Sequence, residues 1–128
     1  MVDKKVTGPA SYFPSIEKKY GINNVEFIKG YFDDVAKTWD KEIDVIHIDG
    51  FHSFEACAND FFTWAPFSKD TTVFLFHDID IYFDQVGAFF FDISGYKVCR
   101  SQSAGLGIMT GNKEVMHFVR ELSKKFTG

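Results

Sequence analysis

Apolar positions follow two rhythms along this chain. Ile43–Asp49 (IDVIHID) and Thr71–Phe76 (TTVFLF) are short, nearly continuous apolar runs, and they predict strands buried on both faces, as in a helix-covered parallel sheet. Val25–Lys29 (VEFIK) alternates before Gly30 and predicts another strand. Tyr96–Arg100 and Leu106–Thr110 predict short strands around a polar, Gly-containing connection. Between these runs the spacing becomes helical. Phe32, Val35, Ala36 and Trp39 share one face, and Phe54, Cys57, Ala58, Phe61, Phe62 and Ala65 another. Phe83, Val86, Phe89, Phe90 and Ile93 mark a third helix, and Val115, Phe118, Val119, Leu122 and Phe126 the buried stripe of a last one.

The helix ends carry their own signals. Pro14 suits the first turn of a short helix through Ile16 and Tyr20, with Gly21 as its stop. Asp33 and Asp34 favour a helix N-terminus, Ser53 suits an N-cap with Glu55 in the first turn, and Pro66 ends that helix. Asn112 caps the last helix, and Lys124 and Lys125 suit its final turn. The resulting order, β-α-β-α-β-α-β-β-α, predicts a single α/β domain over residues 1–128, with an open, mostly parallel, Rossmann-like sheet and helices on both faces.

Composition narrows the picture. A chain of 128 residues with 45% hydrophobic and 25% charged residues has the make-up of one globular domain rather than a disordered segment. No apolar run approaches the roughly 20 residues of a membrane span. The opening MVDKKVTG has no apolar stretch behind its charges, so no secretory signal is expected. A net charge of −4 disfavours nucleic acid as a partner. The cysteines, Cys57 and Cys99, form no disulfide framework, which makes the cytoplasm the expected compartment. The 16 phenylalanines predict a ring-rich core and a hydrophobic face covered by a partner.

In open α/β sheets ligands bind beyond the carboxyl ends of the strands. One predicted strand ends in Asp49-Gly50-Phe51-His52 and another in His77-Asp78. Neighbouring strands lie about 4.8 Å apart, so these groups would converge if the two strands pair. Two carboxylates and two imidazoles in one small volume suit metal binding or activation of a hydroxyl. Each residue also has a structural role open to it. Asp49 can accept backbone N–H bonds from its turn, His52 can simply lie near a helix start, Asp78 can cap the next helix, and His77 can be a hydrogen-bonded structural residue. His47, mid-strand, reads as a satisfied interior residue, and His117 carries no assigned role. No G-x-S-x-G elbow, phosphate loop or Cys-x-x-Cys pair occurs, and Gly105-Leu106-Gly107 precedes a strand rather than a helix.

The stretch IDVIHIDGFHSFEACANDFFTWAPFSKDTTVFLFHDI, Ile43 to Ile79, resembles the fourth strand, helix and fifth strand of class I S-adenosylmethionine-dependent methyltransferases. It is most similar to the small methyltransferase domains often fused to glycosyltransferases. The resemblance rests on Ile48, Asp49, Gly50, His52, Ser53, Phe54, Glu55, Asp60, Trp64, Pro66, His77 and Asp78, with Ser103–Ile108 similar to the family's Gly-Leu-Gly segment, and spans roughly residues 22 to 111. It implies an antiparallel last strand and methyl transfer from S-adenosylmethionine, to oxygen on a sugar or other small acceptor. It also implies Asp49 and Asp78 as ligands for Mg²⁺ or Mn²⁺, and His52 or His77 as the base or a further ligand, which would leave softer metals open. Asp49 and Asp33 are the implied cofactor-contacting acids, although Tyr31 follows Gly30 where the family often has an acid.

The departure from the family concerns its first two strands and their Gly-rich cofactor turn, which have no match here. Without the family's first strand beside it, Ile43–Asp49 is expected to be an exposed apolar edge: the chain is then the C-terminal portion of the family's domain, as a fragment of a longer protein, or it rearranges its strands, or it completes its sheet with a second copy. A homo-oligomer is expected. A non-catalytic interaction module built on the same fold, and a metal-dependent hydrolase using the same four residues with water as nucleophile, are the competing readings.

Overall fold

A computed structural model describes residues 18–21, 23–102 and 104–125. They fall into two compact units, one ending at Trp39 and the other starting at Asp40.

In the first unit, residues 18–20 are helical and Gly21 follows at φ 64°, the left-handed conformation that ends helices. Pro14 and Ile16 lie outside the described residues. Residues 25–29 are not a strand, contrary to their alternating pattern. A strand is held by ladder bonds to a neighbour, and no described strand pairs with this segment. Helix α1, Phe32–Ala36, carries Asp33 and Asp34 in its first turn, and Lys37 Nζ meets Asp34 Oδ1 at 3.2 Å. It is shorter than the predicted face, closing through a Trp39 N–H bond to the Ala36 carbonyl at 3.2 Å.

The second unit is a Rossmann-like α/β arrangement. In chain order it contains β1 (Ile43–Ile48), α2 (Phe54–Trp64), β2 (Ser68–His77), a π turn (Phe83–Gly87), α3 (Ala88–Asp92), β3 (Tyr96–Arg100), β4 (Leu106–Thr110) and α4 (Lys113–Lys124). The sheet order is β1-β2-β4-β3. β1 and β2 are parallel, and both pairs made by β4 are antiparallel, including that with β2. Sequence signals act where predicted. Ser53 Oγ accepts from the Ala56 N–H at 3.1 Å to cap α2, and Pro66 sits in the 3₁₀ turn that ends it. Asn112 Oδ1 accepts from the Val115 N–H at 2.9 Å to cap α4.

The core lies on one face of the sheet. Ile46, Ile48, Phe74, Phe76 and Met109 meet Cys57, Val86, Phe89 and Phe90 from the covering helices. Phe76 and Phe90 are fully buried with ring centroids 5.4 Å apart. Each such ring contributes roughly 1.5–3 kcal/mol by leaving water. Gly107 makes this packing possible, because a Cβ there would sit 2.7 Å from the Phe90 ring.

Three expectations change. The helix predicted over Phe83–Ile93 begins as a π turn, with the Gly87 N–H bonded to the Tyr82 carbonyl at 3.0 Å, and reaches α geometry only from Ala88. On α4 it is Met116 that is buried, while Phe118 is 65% exposed and Leu122 is also exposed. The helix packs mainly on β3 and β4; Phe126 lies outside the described residues. His47 is exposed rather than interior, because it lies on the face of β1 opposite the buried Ile46 and Ile48. Val45, on the same face, is 55% exposed; among the described residues β1 pairs on one side only, with β2.

Candidate active site

The parallel β1–β2 pair sets Ile48 beside Phe76, so Asp49 and His77 leave the sheet together. β1 then turns through Gly50 and Phe51 to His52, just before the Ser53 cap of α2. β2 turns at Asp78. Four residues singled out from the sequence, Asp49, His52, His77 and Asp78, thus converge at one edge. Asp33 is in the other unit, exposed on the first turn of α1.

Asp78 is the hub. It is 8% exposed, and its Oδ2 lies 2.8 Å from His52 Nε2 while its Oδ1 lies 3.0 Å from His77 Nδ1. Asp49 Oδ1 lies 3.4 Å from the same His77 nitrogen. Neither approach to His77 is aligned as a hydrogen bond, which leaves this buried Nδ1 without a partner. Such a group is costly unless something satisfies it.

The backbone of Asp78 is in the left-handed region, at φ 67°. A side-chained residue there is strained by roughly 1–2 kcal/mol, less for Asp, whose short side chain tolerates it. The β3–β4 loop holds it in place. Asp78 N–H bonds the Gly105 carbonyl at 2.9 Å, and the Asp80 and Ile81 N–H groups bond the Ala104 carbonyl at 3.0 and 3.2 Å. Gly105 itself sits at φ 94°, and a Cβ there would lie 2.6 Å from the Asp80 backbone nitrogen.

Two further residues shape the site, and nothing in the spacing marks them. The Tyr82 ring stacks on His52, centroids 4.2 Å apart and planes inclined by 14°. Gln85 Oε1 accepts from the Phe54 N–H at 2.9 Å, joining the start of α2 to the π turn. Both contacts link segments far apart in the chain, so local periodicity carries no trace of them.

Asp49, His52 and Asp78 each offer one ligand atom, all within 4.8 Å of one another. Two carboxylates fit a hard divalent cation such as Mg²⁺ or Mn²⁺, and the imidazole leaves softer metals open. The orphaned His77 Nδ1 beside both carboxylates also fits a cation nearby. The fit to S-adenosylmethionine is different. None of the strand-to-helix turns among the described residues is Gly-rich, so these residues do not form the backbone cradle of that cofactor.

A Rossmann-like sheet with acids and imidazoles gathered beyond the carboxyl ends of adjacent parallel strands has them where open α/β sheets bind their ligands. A family model described as a methyltransferase domain matches residues 8–79, more than half of the chain, and the chain belongs to that methyltransferase-domain family. No curated protein matches the chain.

Proposed function

We propose that this chain provides the acceptor side of S-adenosylmethionine-dependent O-methyl transfer to a small hydroxyl compound, with His52 as general base. The observation that carries this reading is the His52–Asp78 pair at 2.8 Å. With its proton on Nε2 and shared with the carboxylate, the His52 imidazole keeps its lone pair on Nδ1. Nδ1 then takes the proton from the acceptor hydroxyl, and Asp78 stabilises the imidazolium that forms. Tyr82 fixes the ring plane by stacking. General-base catalysis of this kind contributes roughly 10²–10⁴ in rate.

Asp49 and Asp78 are the residues that would hold a divalent cation, which would lower the pKa of a hydroxyl bound to it. S-adenosylmethionine enters through family membership as the methyl donor; its binding half is not built from the described residues, which act on the acceptor. The test is transfer of a labelled methyl group by the protein, with Mg²⁺ or Mn²⁺ titrated by calorimetry. His52→Ala should lower turnover by roughly 10²–10⁴, and Asp49→Asn with Asp78→Asn should abolish cation binding. Undiminished turnover in His52→Ala removes the base assignment.

A second reading has its own support. The exposed edge of β1, with Val45 uncovered, suits a module that completes its sheet with a second copy of the chain. Light scattering tests this, and a monomer at working concentration counts against it.

A further inference from the structure

We propose that Arg100 anchors a negatively charged group of the acceptor, which makes the acceptor an aliphatic hydroxy acid with its carboxylate on Arg100 and its hydroxyl at the Asp49–Asp78 edge; this rests on the methyl-transfer reading and narrows it.

The sheet register puts Arg100 in line with the site. Ile48 pairs with Phe76, so Asp49 stands beside His77 at the next level. His77 pairs with Leu106 on β4, and Leu106 pairs with Arg100 on β3. Paired residues share a face, and side chains alternate along each strand. Phe74, Phe76 and Met109 belong to the core face, so His77, Leu106 and Arg100 share the opposite one. Adjacent strands lie about 4.8 Å apart, which sets Arg100 roughly 10 Å from His77 and roughly 14 Å from Asp49 across the sheet.

On this face α4 packs over β3 and β4. Between helix and sheet is an open groove of about 210 Å³, lined by Arg100, Gln102, Ile108, Val119, Leu122 and Ser123. It is smaller than the roughly 300–1,000 Å³ of a pocket that holds a whole ligand, and suits one end of a molecule whose other end lies elsewhere. Ile108, Val119 and Leu122 make its lining aliphatic. Arg100 is half-buried, and its guanidinium has no hydrogen bond or ion pair among the described residues. A guanidinium in that state gains from a carboxylate, which it takes with two parallel hydrogen bonds. Gln102 and Ser123 add neutral donors. The strand-end segments 49–55 and 77–85 contain no Lys or Arg, so they offer an acidic acceptor no side-chain cation of their own. The β3–β4 loop joins the two ends, since it supplies Gln102 to the groove and clamps Asp78 through the Gly105 carbonyl.

The test is NMR titration of the whole chain with 10-hydroxydecanoate, its methyl ester and 4-hydroxybutanoate, which is too short to span the row. 10-Hydroxydecanoate should shift the resonances of Ile108, Val119 and Leu122, and bind roughly tenfold or more tighter than either of the others. Arg100→Gln should lose roughly tenfold in its affinity. Leu122→Glu, which places a carboxylate at an exposed position of the groove, should lose as much. Lys113→Gln removes a cation from the start of α4 and should bind like wild type. Unchanged thermal melts check that the variants are folded. Equal binding of acid and ester overturns the proposal, as do undiminished binding in Arg100→Gln and an equal loss in Lys113→Gln. Methyl transfer separates the proposal from the reading beneath it. With 10-hydroxydecanoate as acceptor, Arg100→Gln should raise KM and leave kcat close to wild type. Methylation that is indifferent to the carboxylate and to Arg100 keeps the methyl-transfer reading and overturns the anchor. Binding of the acid through Arg100 without methylation of any hydroxyl compound overturns the reading and leaves the groove an anion site.

Discussion

His52 and Asp78 meet at 2.8 Å although they stand far apart in the sequence, and Asp78 makes this contact from a left-handed backbone. The side chain and the main chain of Asp78 therefore make separable contributions. Asp78→Asn keeps a residue that tolerates φ 67°, so its denaturation midpoint should stay close to wild type. Its methyl transfer should fall by roughly 10²–10⁴, because the neutral amide no longer stabilises the imidazolium. Asp78→Val should lose activity and also roughly 1–2 kcal/mol of stability in urea unfolding, since a β-branched residue is strained there.

Gly107 and Gly105 are predicted to fail differently. At Gly107 a Cβ meets the Phe90 ring, so Gly107→Ala should cost roughly 1–3 kcal/mol by overpacking. At Gly105 the obstacle is the Asp80 backbone, and the carbonyl of Gly105 anchors Asp78. Gly105→Ala should therefore lose divalent-cation binding as well as stability. Calorimetry and denaturation together distinguish the two.

Thr72 is 1% exposed and spans two segments. Its Oγ1 donates to the Ile43 carbonyl at 2.7 Å and accepts from the Lys69 N–H at 2.9 Å. Thr72→Val keeps the shape and leaves both partners unsatisfied, and should destabilise by roughly 1–3 kcal/mol in chemical denaturation.

Cys57 sets a limit at alkaline pH. Burial, aided by the neighbouring Asp60 carboxylate, raises its thiol from 9.0 to about 12. The folded chain then holds a proton that the unfolded chain releases above about pH 9. Stability is complete below that value and falls as pH rises from 9 towards 12, by at most about 1.4 kcal/mol per pH unit. Cys57→Ala should flatten this part of the stability profile. Cys99, exposed and raised less, should be alkylated well before Cys57 in the native protein.

Much of the second unit was legible in the sequence because its signals are local. β3 and β4 begin and end at the predicted residues, and the Ser53 and Asn112 caps form as expected. The strand-end acids and imidazoles were legible too, since a strand that ends in polar residues places them at the sheet edge. Residues 25–29 show the limit: alternation supplies side chains of the right kind, and only a partner strand supplies the hydrogen bonds.

By itself, then, the sequence determined the helix caps, the positions of the second unit's strands and the polar groups at their ends, because propensity and periodicity act over a few residues. Tertiary structure decided which strands became neighbours, that β4 inserts between β2 and β3, and that the β3–β4 loop clamps Asp78. It also placed Tyr82 on His52 and left His77 Nδ1 between two carboxylates. These contacts join residues distant in the chain, and their geometry is set by packing, which no local pattern encodes.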